Sequence, residues 1–461
     1  MRKTMSTLRV SSVASQFLRR YSNRHSCNVC IPRNFSSTLS SPLSDDDDSV
    51  EPPFLTSLPV TASFSVDELM TRESVRTWAD VVLRPRVRAM DVASAIDPTI
   101  ISELFAQGFM GLEIPEEHGG SGLTFTAACL AIEELARVDP SIAITADIHN
   151  TLTNNAVRLW GSPELQEQWL PRLASKSLSS FCLSEAGSGS DAFSLKTTAT
   201  KSSDGSYYTL NGSKLWISNA READVLLVFA NADPSAGYKG ITAFLLDVND
   251  YESGNGNGSI SIGPPESKLG LRSSSTCPIH FDNTKVPSSN MIGSIGMGYR
   301  YCIEILNEGR IGIAAQQLGI AKGCLYDIAL PYMMEREQFG SPIANFQGME
   351  HQYAQIATEI HAAETMTYNA CRLKEMHQRH PQDGHSFVRE ASMAKLYSSQ
   401  VAEKTASKTI EWLGGIGFTT DLLAEKMYRD CKVGSIYEGT SNIQLQTIAK
   451  LMRSECETNQ R

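Results

Sequence analysis

The segment Ile436-Tyr437-Glu438-Gly439-Thr440-Ser441-Asn442 sets one carboxylate between an apolar pair and a glycine. Thr440, Ser441 and Asn442 then add hydroxyl, amide and backbone donors. A carboxylate in apolar surroundings has a raised pKa and becomes a competent base near neutral pH. Upstream stands Leu183-Ser184-Glu185-Ala186-Gly187-Ser188-Gly189-Ser190-Asp191, a run of small residues that lets another molecule approach the backbone. Trp216-Ile217-Ser218 follows Asn211-Gly212-Ser213-Lys214. In Asn307-Glu308-Gly309-Arg310 the first and last residues are one helical turn apart and can act on one face. Arg336, with Gln338-Phe339-Gly340 and then Gln347, offers a planar fork of donors suited to phosphate. Glu411-Trp412-Leu413-Gly414-Gly415-Ile416-Gly417-Phe418 completes the set.

In this order the motifs resemble those of the acyl-CoA dehydrogenases, flavoenzymes that desaturate a thioester between its α and β carbons. Such a reaction needs a base for the α-proton, donors for the enolate-like oxygen, and a cofactor to take the β-hydride, since no side chain can. The resemblance implies Glu438 as the base, with its own backbone N–H as one of the donors to the thioester oxygen. It implies FAD held by Phe181, Cys182, Leu183, Ser184, Gly187, Ser188, Gly189 and Ser190, with Trp216 and Ile217 beside the ring and the Ser218 hydroxyl toward N5. Arg336 and Gln347 would reach the pyrophosphate of a neighbouring subunit's FAD. Glu411, Trp412, Leu413, Gly414 and Gly415 would pass close to that FAD, and Thr440, Ser441 and Asn442 would close its adenine side. Ser190, Tyr238, Tyr299, Asn307, Glu308, Gly309, Arg310 and Gly439 would line the CoA and acyl channel. No metal is required.

Some family members carry the base on the residue just before the arginine of the Asn-Glu-Gly-Arg stretch. Here that residue is Gly309, which cannot act, and Glu308 is turned about 100° away on a helix. Gly309 is expected to leave space beside the substrate's α and β carbons, suited to a methyl branch at C2. Within the family the resemblance is nearest to the short/branched-chain subgroup, through Lys268 to Pro278, Asn307 to Gln316 and Tyr238-Lys239-Gly240-Ile241. It implies short and 2-methyl-branched acyl-CoA substrates, electron transfer flavoprotein as oxidant and a homotetramer. An acyl-CoA oxidase using oxygen and a non-catalytic relative acting in complex assembly remain as alternatives.

The elements that must position these groups read α, then β, then α. Helical periodicity runs from Phe64, through Ile100 to Phe109 and Leu130 to Arg137, to about residue 180. Short β-rich runs follow at Tyr207 to Leu210, Val225 to Phe229 and Ile241 to Leu246, with Asn211-Gly212 as a tight-turn signal. Long amphipathic helices return from Tyr299, with a polar break around His380 to His385. The expected domains are 64–180, 181–292 and 293–461. The resemblance makes this an α+β fold: an N-terminal helical domain, a middle β-barrel or sandwich, and a C-terminal four-helix bundle. Gly187-Ser188-Gly189 is not followed by the long helix and parallel strand of a dinucleotide-binding unit.

The 461 residues are 41% hydrophobic and 20% charged, and no apolar run reaches the roughly 18 residues of a membrane span. Residues 1–44 hold seven basic residues (Arg2, Lys3, Arg9, Arg19, Arg20, Arg24, Arg33), many serines and no acidic residue, which describes a mitochondrial transit peptide and a matrix protein. An extended linker over 45–63 follows, with Asp45 to Asp48 and Pro52-Pro53. Without the leader, 34 of the 41 basic residues face 51 acidic ones, so nucleic acid is not an expected partner. Apart from Cys27-x-x-Cys30 the ten cysteines are scattered singly, as in a reduced protein without a zinc site. The loops 252–258 and 377–385 are longer than usual for the family.

Overall fold

The computed structural model describes residues 63–251, 258–383 and 386–459. The leader at 1–44, the linker up to residue 62, and residues 252–257 and 384–385 of the two long loops lie outside the described residues.

The N-terminal part is helical. Ser65 accepts the Glu68 N–H while Glu68 Oε2 accepts the Ser65 N–H, a reciprocal cap that starts α1 (Val66–Trp78). Two short helices follow, α2 (Val87–Ala93) and α3 (Pro98–Ala106), then α4 (Phe125–Ala136), capped by the Thr124 hydroxyl and buried on every face. Asp139 caps α5 (Pro140–Asp147), which runs through a π-helical stretch, Ile148–Asn154, into α6 (Asn155–Trp160) and then α7 (Pro163–Ser175).

Among the described residues eight strands come next: β1 (Ser179–Cys182), β2 (Thr198–Lys201), β3 (Tyr207–Ser218), β4 (Val225–Asn231), β5 (Ile241–Asp247), β6 (Ser259–Ile262), β7 (Thr276–Pro287) and β8 (Met291–Ile292). Their order is β6-β7-β3-β2-β4-β5-β8, with β1 parallel to β4. The halves meet at one parallel bridge, Thr198 to Asn231, and fold over each other. Leu226, Val228 and Phe244 thereby face Tyr208, Leu210, Ile279 and Phe281 in an internal core. Alternate residues Val225, Leu227 and Phe229 face outward onto Leu152, Trp169 and Ile305 of the helices. The tight turn expected at Asn211-Gly212 is not there. These residues lie inside β3 at a shift of register against β7. A Cβ on Gly212 would come within 2.5 Å of Thr197 Oγ1, so close approach rather than reversal selects this glycine. The reversal between β2 and β3 is made by Asp204-Gly205, with Gly205 at φ 75°.

The C-terminal helices are α8 (Gly298–Lys322), continued by the π-helical Gly323–Ala329, then α9 (Leu330–Glu335), α10 (Gln347–Arg379), α11 (Val388–Leu413), α12 (Ala424–Cys431) and α13 (Ser441–Asn459). A two-stranded ribbon, β9 (Glu337–Gln338) and β10 (Ser341–Pro342), separates α9 from α10. Helices α8, α10 and α11 pack on one another and α13 packs on α11, giving the expected bundle. Leu104 and Leu130 join Ile311, Leu318, Tyr368 and Trp412 in one core, so the two helical parts bury one another.

A buried ionic junction fixes α12. Lys426 Nζ donates to Asp139 Oδ1 at 2.7 Å and to Asp430, and all three side chains are fully buried. Asp430 Oδ1 also accepts the Leu271 N–H at 2.7 Å, tying the β6–β7 connection to the same point. Removing the lysine leaves two buried carboxylates unpaired, which costs about 3–5 kcal/mol. Lys426→Met should therefore lower the urea midpoint sharply, and K426M/D139N/D430N should recover part of the loss. An unchanged midpoint in Lys426→Met would contradict this reading of the junction.

Candidate active site

From α12 the chain passes through a 3₁₀ turn, Lys432–Ser435, to Glu438. Glu438 and Gly439 both take left-handed backbone, φ 50° and 82°. For a non-glycine residue this costs on the order of 1–3 kcal/mol and needs outside support. Gln444 Nε2 donates to the Glu438 and Gly439 carbonyls, both at 3.0 Å, and Lys395 Nζ donates to the Gly439 carbonyl at 2.7 Å. The Ser399 hydroxyl donates to the Gly434 carbonyl at 2.9 Å, and the Tyr437 hydroxyl to Gln316 Oε1. The turn is held from α8, α11 and α13 together.

The Glu438 side chain enters a slot against α8. A Cβ placed on Gly309 would lie 2.8 Å from Glu438 Oε2 and 3.0 Å from Leu152 Cδ2. The space beside Gly309 is thus taken by the carboxylate itself, which corrects the expectation that it stays open for a methyl branch. Glu438 Oε2 is buried and has no hydrogen-bond partner among the described residues. Burial pushes the carboxyl up to about 7, against the lowering effect of Lys395 and Arg310. Arg310 donates to Asn307 Oδ1 at 2.8 Å and to Ser392 Oγ of α11 at 3.2 Å. Asp147, at the end of α5, points at Gly312 one turn further along α8 and accepts the Thr151 hydroxyl at 2.8 Å. Burial pushes its carboxyl up to about 8, which favours the neutral form of Asp147 near pH 7. One carboxylate poised near neutrality, with two cations beside it and a free oxygen, is suited to abstracting a proton.

Glu308 points elsewhere. It accepts Asn155 Nδ2 at 2.7 Å and lies 3.5 Å from Lys374 Nζ, in a buried network with Glu113 and Arg158. Asn307 and Glu308 also line a cavity of about 270 Å³ with Trp160, Glu304 and His377.

The Leu183–Ser190 loop is shaped by a second buried pair. Lys214 Nζ donates to the Leu183 carbonyl at 3.0 Å and to Glu185 Oε1 at 2.9 Å, while Glu185 accepts the Lys196 and Thr197 N–H groups. The Ser184 carbonyl accepts Leu215 N–H at 2.9 Å, which brings the loop to the base of Trp216. Trp216 sits at φ 64° where β3 bulges and is 58% exposed, a ring offered to a planar ligand. Cβ atoms on Gly187 and Gly189 would meet nothing within 4 Å, so the loop backbone is accessible. An isoalloxazine ring fits these features: an exposed indole face and open peptide groups at its edge. The Cys182 and Ile217 side chains face the β core, which leaves only their backbone for a ligand. Ser218 follows at the end of β3, and its carbonyl accepts the Ser180 hydroxyl. Phe181, Leu183, Tyr299 and Tyr437 share one apolar cluster with Leu152, and Tyr238 meets Tyr299 edge-on at 5.1 Å. Ser190 is exposed at the loop's end.

The other expected cofactor residues come from the C-terminal part of the chain. Arg336 precedes the β9–β10 ribbon, whose tip residues Phe339 and Gly340 both have positive φ; Phe339 is 99% exposed. Arg336 is exposed and makes no ion pair among the described residues, and Gln347 opens α10, also exposed. Glu411 pairs with Lys408, and the buried Trp412 donates to Gln352 beside a cleft of about 280 Å³. Leu413 is buried, whereas Gly414 and Gly415 are exposed with nothing within 4 Å of their would-be Cβ atoms. Thr440 Oγ1 accepts the Ile443 N–H at the start of α13, so Ser441 and Asn442 occupy the positive end of that helix. Sequence reasoning missed Lys395, Gln444, Leu152 and Asp147. Only Lys395 left a trace, in the spacing Ser392, Lys395, Ser399 along one helix face.

Acyl-CoA dehydrogenase family models match the chain in three consecutive pieces: the N-terminal domain over residues 65–177, the middle domain over 180–284 and the C-terminal domain over 296–452. The short/branched chain specific acyl-CoA dehydrogenase, mitochondrial, of Rattus norvegicus is 50% identical over 393 residues, 85% of this chain and 87% of that protein. The solved structure of butyryl-CoA dehydrogenase from Megasphaera elsdenii is 34% identical with a TM-score of 0.78, covering 84% of this chain and 98% of that one. An acyl-CoA dehydrogenase complexed with FAD from Bacillus anthracis is 29% identical with a TM-score of 0.78, covering 88% and 70%.

Gly309→Val tests the slot. The new side chain would push Glu438 off its place, and a displacement near 1 Å costs about a hundredfold in rate. We expect kcat/KM to fall by that order for branched and straight thioesters alike. A loss confined to 2-methyl-branched thioesters would instead restore Gly309 as the floor of a branch pocket.

Proposed function

The chain belongs to the acyl-CoA dehydrogenase family, and on that footing we propose that Glu438 removes the α-proton of short and 2-methyl-branched acyl-CoA thioesters. The enzyme is an FAD-dependent oxidoreductase. The observation that carries the proposed role is the buried, unpartnered Glu438 Oε2 held against Gly309 between Arg310 and Lys395.

The base must be ionised to act, and its carboxyl near 7 keeps a useful fraction charged at neutral pH while leaving it basic enough to take a carbon-bound proton. The Glu438 N–H is the proposed donor to the thioester oxygen, where charge develops as the proton leaves. Leu152 and Tyr437 supply apolar walls that exclude water from the slot. Bound FAD would accept the β-hydride at its flavin N5. Residues proposed to hold it are the Phe181–Ser190 loop, Trp216, Ile217 and Ser218. From a neighbouring subunit, Arg336, Gln347, Glu411 to Gly415 and Thr440 to Asn442 would contribute. For the CoA channel we propose Ser190, Tyr238, Tyr299, Asn307, Glu308, Arg310 and Gly439; the Tyr238–Tyr299 contact supports the pairing of the two tyrosines.

The mitochondrial relative supports a mitochondrial location, and we propose the matrix, reached by a transit peptide over 1–44 and followed by a linker over 45–63. Three domains at 64–180, 181–292 and 293–461, assembly as a homotetramer, and transfer of electrons to electron transfer flavoprotein complete the reading. The dehydrogenase names of the relatives, together with an intact Glu438, favour it over the oxidase and the non-catalytic relative.

Glu438→Gln keeps shape and loses the base. It should stay folded and bind FAD and acyl-CoA, while flavin reduction by 2-methylbutyryl-CoA slows by at least about 10³-fold. In the native enzyme kcat/KM should fall about tenfold per pH unit below about pH 7, because protonating Glu438 removes the active form. Near-native bleaching in E438Q would reject the assignment. Shared FAD binding makes a separate demand: Arg336→Ala should lower FAD content and oligomer size together in sedimentation. A flavin-saturated native monomer would exclude it.

A further inference from the structure

Helix α11 presents three buried polar side chains on one face, at i, i+3 and i+7: Ser392, Lys395 and Ser399. Each meets a different part of the site. Ser392 Oγ accepts from Arg310, Lys395 Nζ donates to the Gly439 carbonyl at 2.7 Å, and Ser399 Oγ donates to the Gly434 carbonyl at 2.9 Å. A fully buried lysine is expensive unless its ammonium meets acceptors and an opposing charge. Lys395 has one carbonyl acceptor and no ion pair within 4.0 Å among the described residues. The charged group nearest in influence is Glu438, which stabilises the ammonium, whereas Arg310 opposes it.

We propose that Lys395 is the positioning residue of this active site: it clamps the left-handed Glu438-Gly439 turn through the Gly439 carbonyl and thereby sets a positive charge next to the residue that carries the Glu438 carboxylate. The proposal rests on Glu438 being the base. Two roles are distinct here. As a donor, Lys395 shares the Gly439 carbonyl with Gln444 and so resists relaxation of a turn that places a non-glycine residue at φ 50°. As a charge, it acts with Arg310 against the burial that raises the Glu438 carboxyl. Among the described residues the other titratable groups around Glu438 are Asp147 from α5, Cys302 from α8 and Tyr437 on its own turn; burial raises each of them and so favours their neutral forms. Lys395 and Arg310 are therefore the two groups whose charge lowers it. Burial brings the Lys395 ammonium itself down to about 8, so most of it still carries charge near pH 7, where Glu438 titrates.

Two variants separate the roles. Lys395→Gln keeps a donor and loses the charge; Lys395→Met loses both. Each is measured as FAD-loaded enzyme beside native protein and Glu438→Gln. One readout is anaerobic flavin reduction by 2-methylbutyryl-CoA across pH. The other is deuterium uptake at the α-carbon of acetyl-CoA in D₂O, followed by mass spectrometry. Acetyl-CoA has no β-carbon, so this exchange reports proton removal without hydride transfer. We expect the acid limb of both reactions to move up by about one pH unit in both variants, since a lost cation raises a carboxyl pKa. The high-pH plateau should stay within about fivefold of native in Lys395→Gln and fall about a hundredfold in Lys395→Met, with acyl-CoA affinity little changed. If Lys395→Met does not fold, the limb shift in Lys395→Gln decides. An acid limb at the native pH in Lys395→Gln overturns the proposal, as does a native plateau in a folded Lys395→Met. Glu438→Gln that still exchanges acetyl-CoA protons at the native rate marks a different failure, that of the base assignment itself.

Discussion

Glu438 Oε2 is buried beside Gly309 without a hydrogen-bond partner among the described residues, and burying a carboxylate in that way costs free energy unless cations lie close by. The same burial is what gives the group its basicity. A fully paired carboxylate would be stable, charged and unreactive; an unpaired one with no cation nearby would be protonated at pH 7. The slot sits between these limits, because Arg310 and Lys395 act on Glu438 without forming an ion pair with it. Their hydrogen bonds go instead to Asn307, Ser392 and the Gly439 carbonyl, which fixes the cations and leaves the carboxylate oxygen available.

Holding that balance requires elements far apart in sequence to stay in register. The Lys426 junction ties α12 to α5 and to the β6–β7 connection just before the chain enters the Glu438 turn. Lys214 and Glu185 do the equivalent work for the small-residue loop, bracing it against β3 next to Trp216. Both devices are buried lysines, whose single charge on a long stem can bridge separated carboxylates and carbonyls. The shared core of the two helical parts then makes the slot a feature of the whole chain, since α8 packs against α4 and α11 alike.

The α, β, α order was legible because helical and strand periods differ. Glu438 was legible because its apolar neighbours and the following glycine are contiguous. Asn211-Gly212 misled, because a glycine required by Thr197 across the sheet looks in sequence like a glycine required by a turn. Lys395, Asp147 and Gln444 were hidden for a related reason: their partners lie on other elements, and a lone polar residue in a helix carries no sign of which carbonyl or carboxylate it will meet. Ser392, Lys395 and Ser399 formed a readable stripe, but a polar stripe on a helix ordinarily faces water, and only packing shows that this one does not.

Gly309 shows most clearly how a correct residue can carry the wrong inference. Its missing side chain reads in sequence as empty space. In the folded chain the Cβ direction of Gly309 points at Glu438 Oε2, 2.8 Å away, and at Leu152. A carboxylate delivered from position 309 and one delivered from 438 would compete for the same volume, so the two cannot be occupied together. Glycine at 309 is then the condition under which Glu438 reaches its place, and any room for a branched acyl chain has to come from other walls of the slot. Resemblance places the base in either of two sequence positions; steric exclusion lets a side chain occupy only one of them in this chain, and the proposed base is the one at 438.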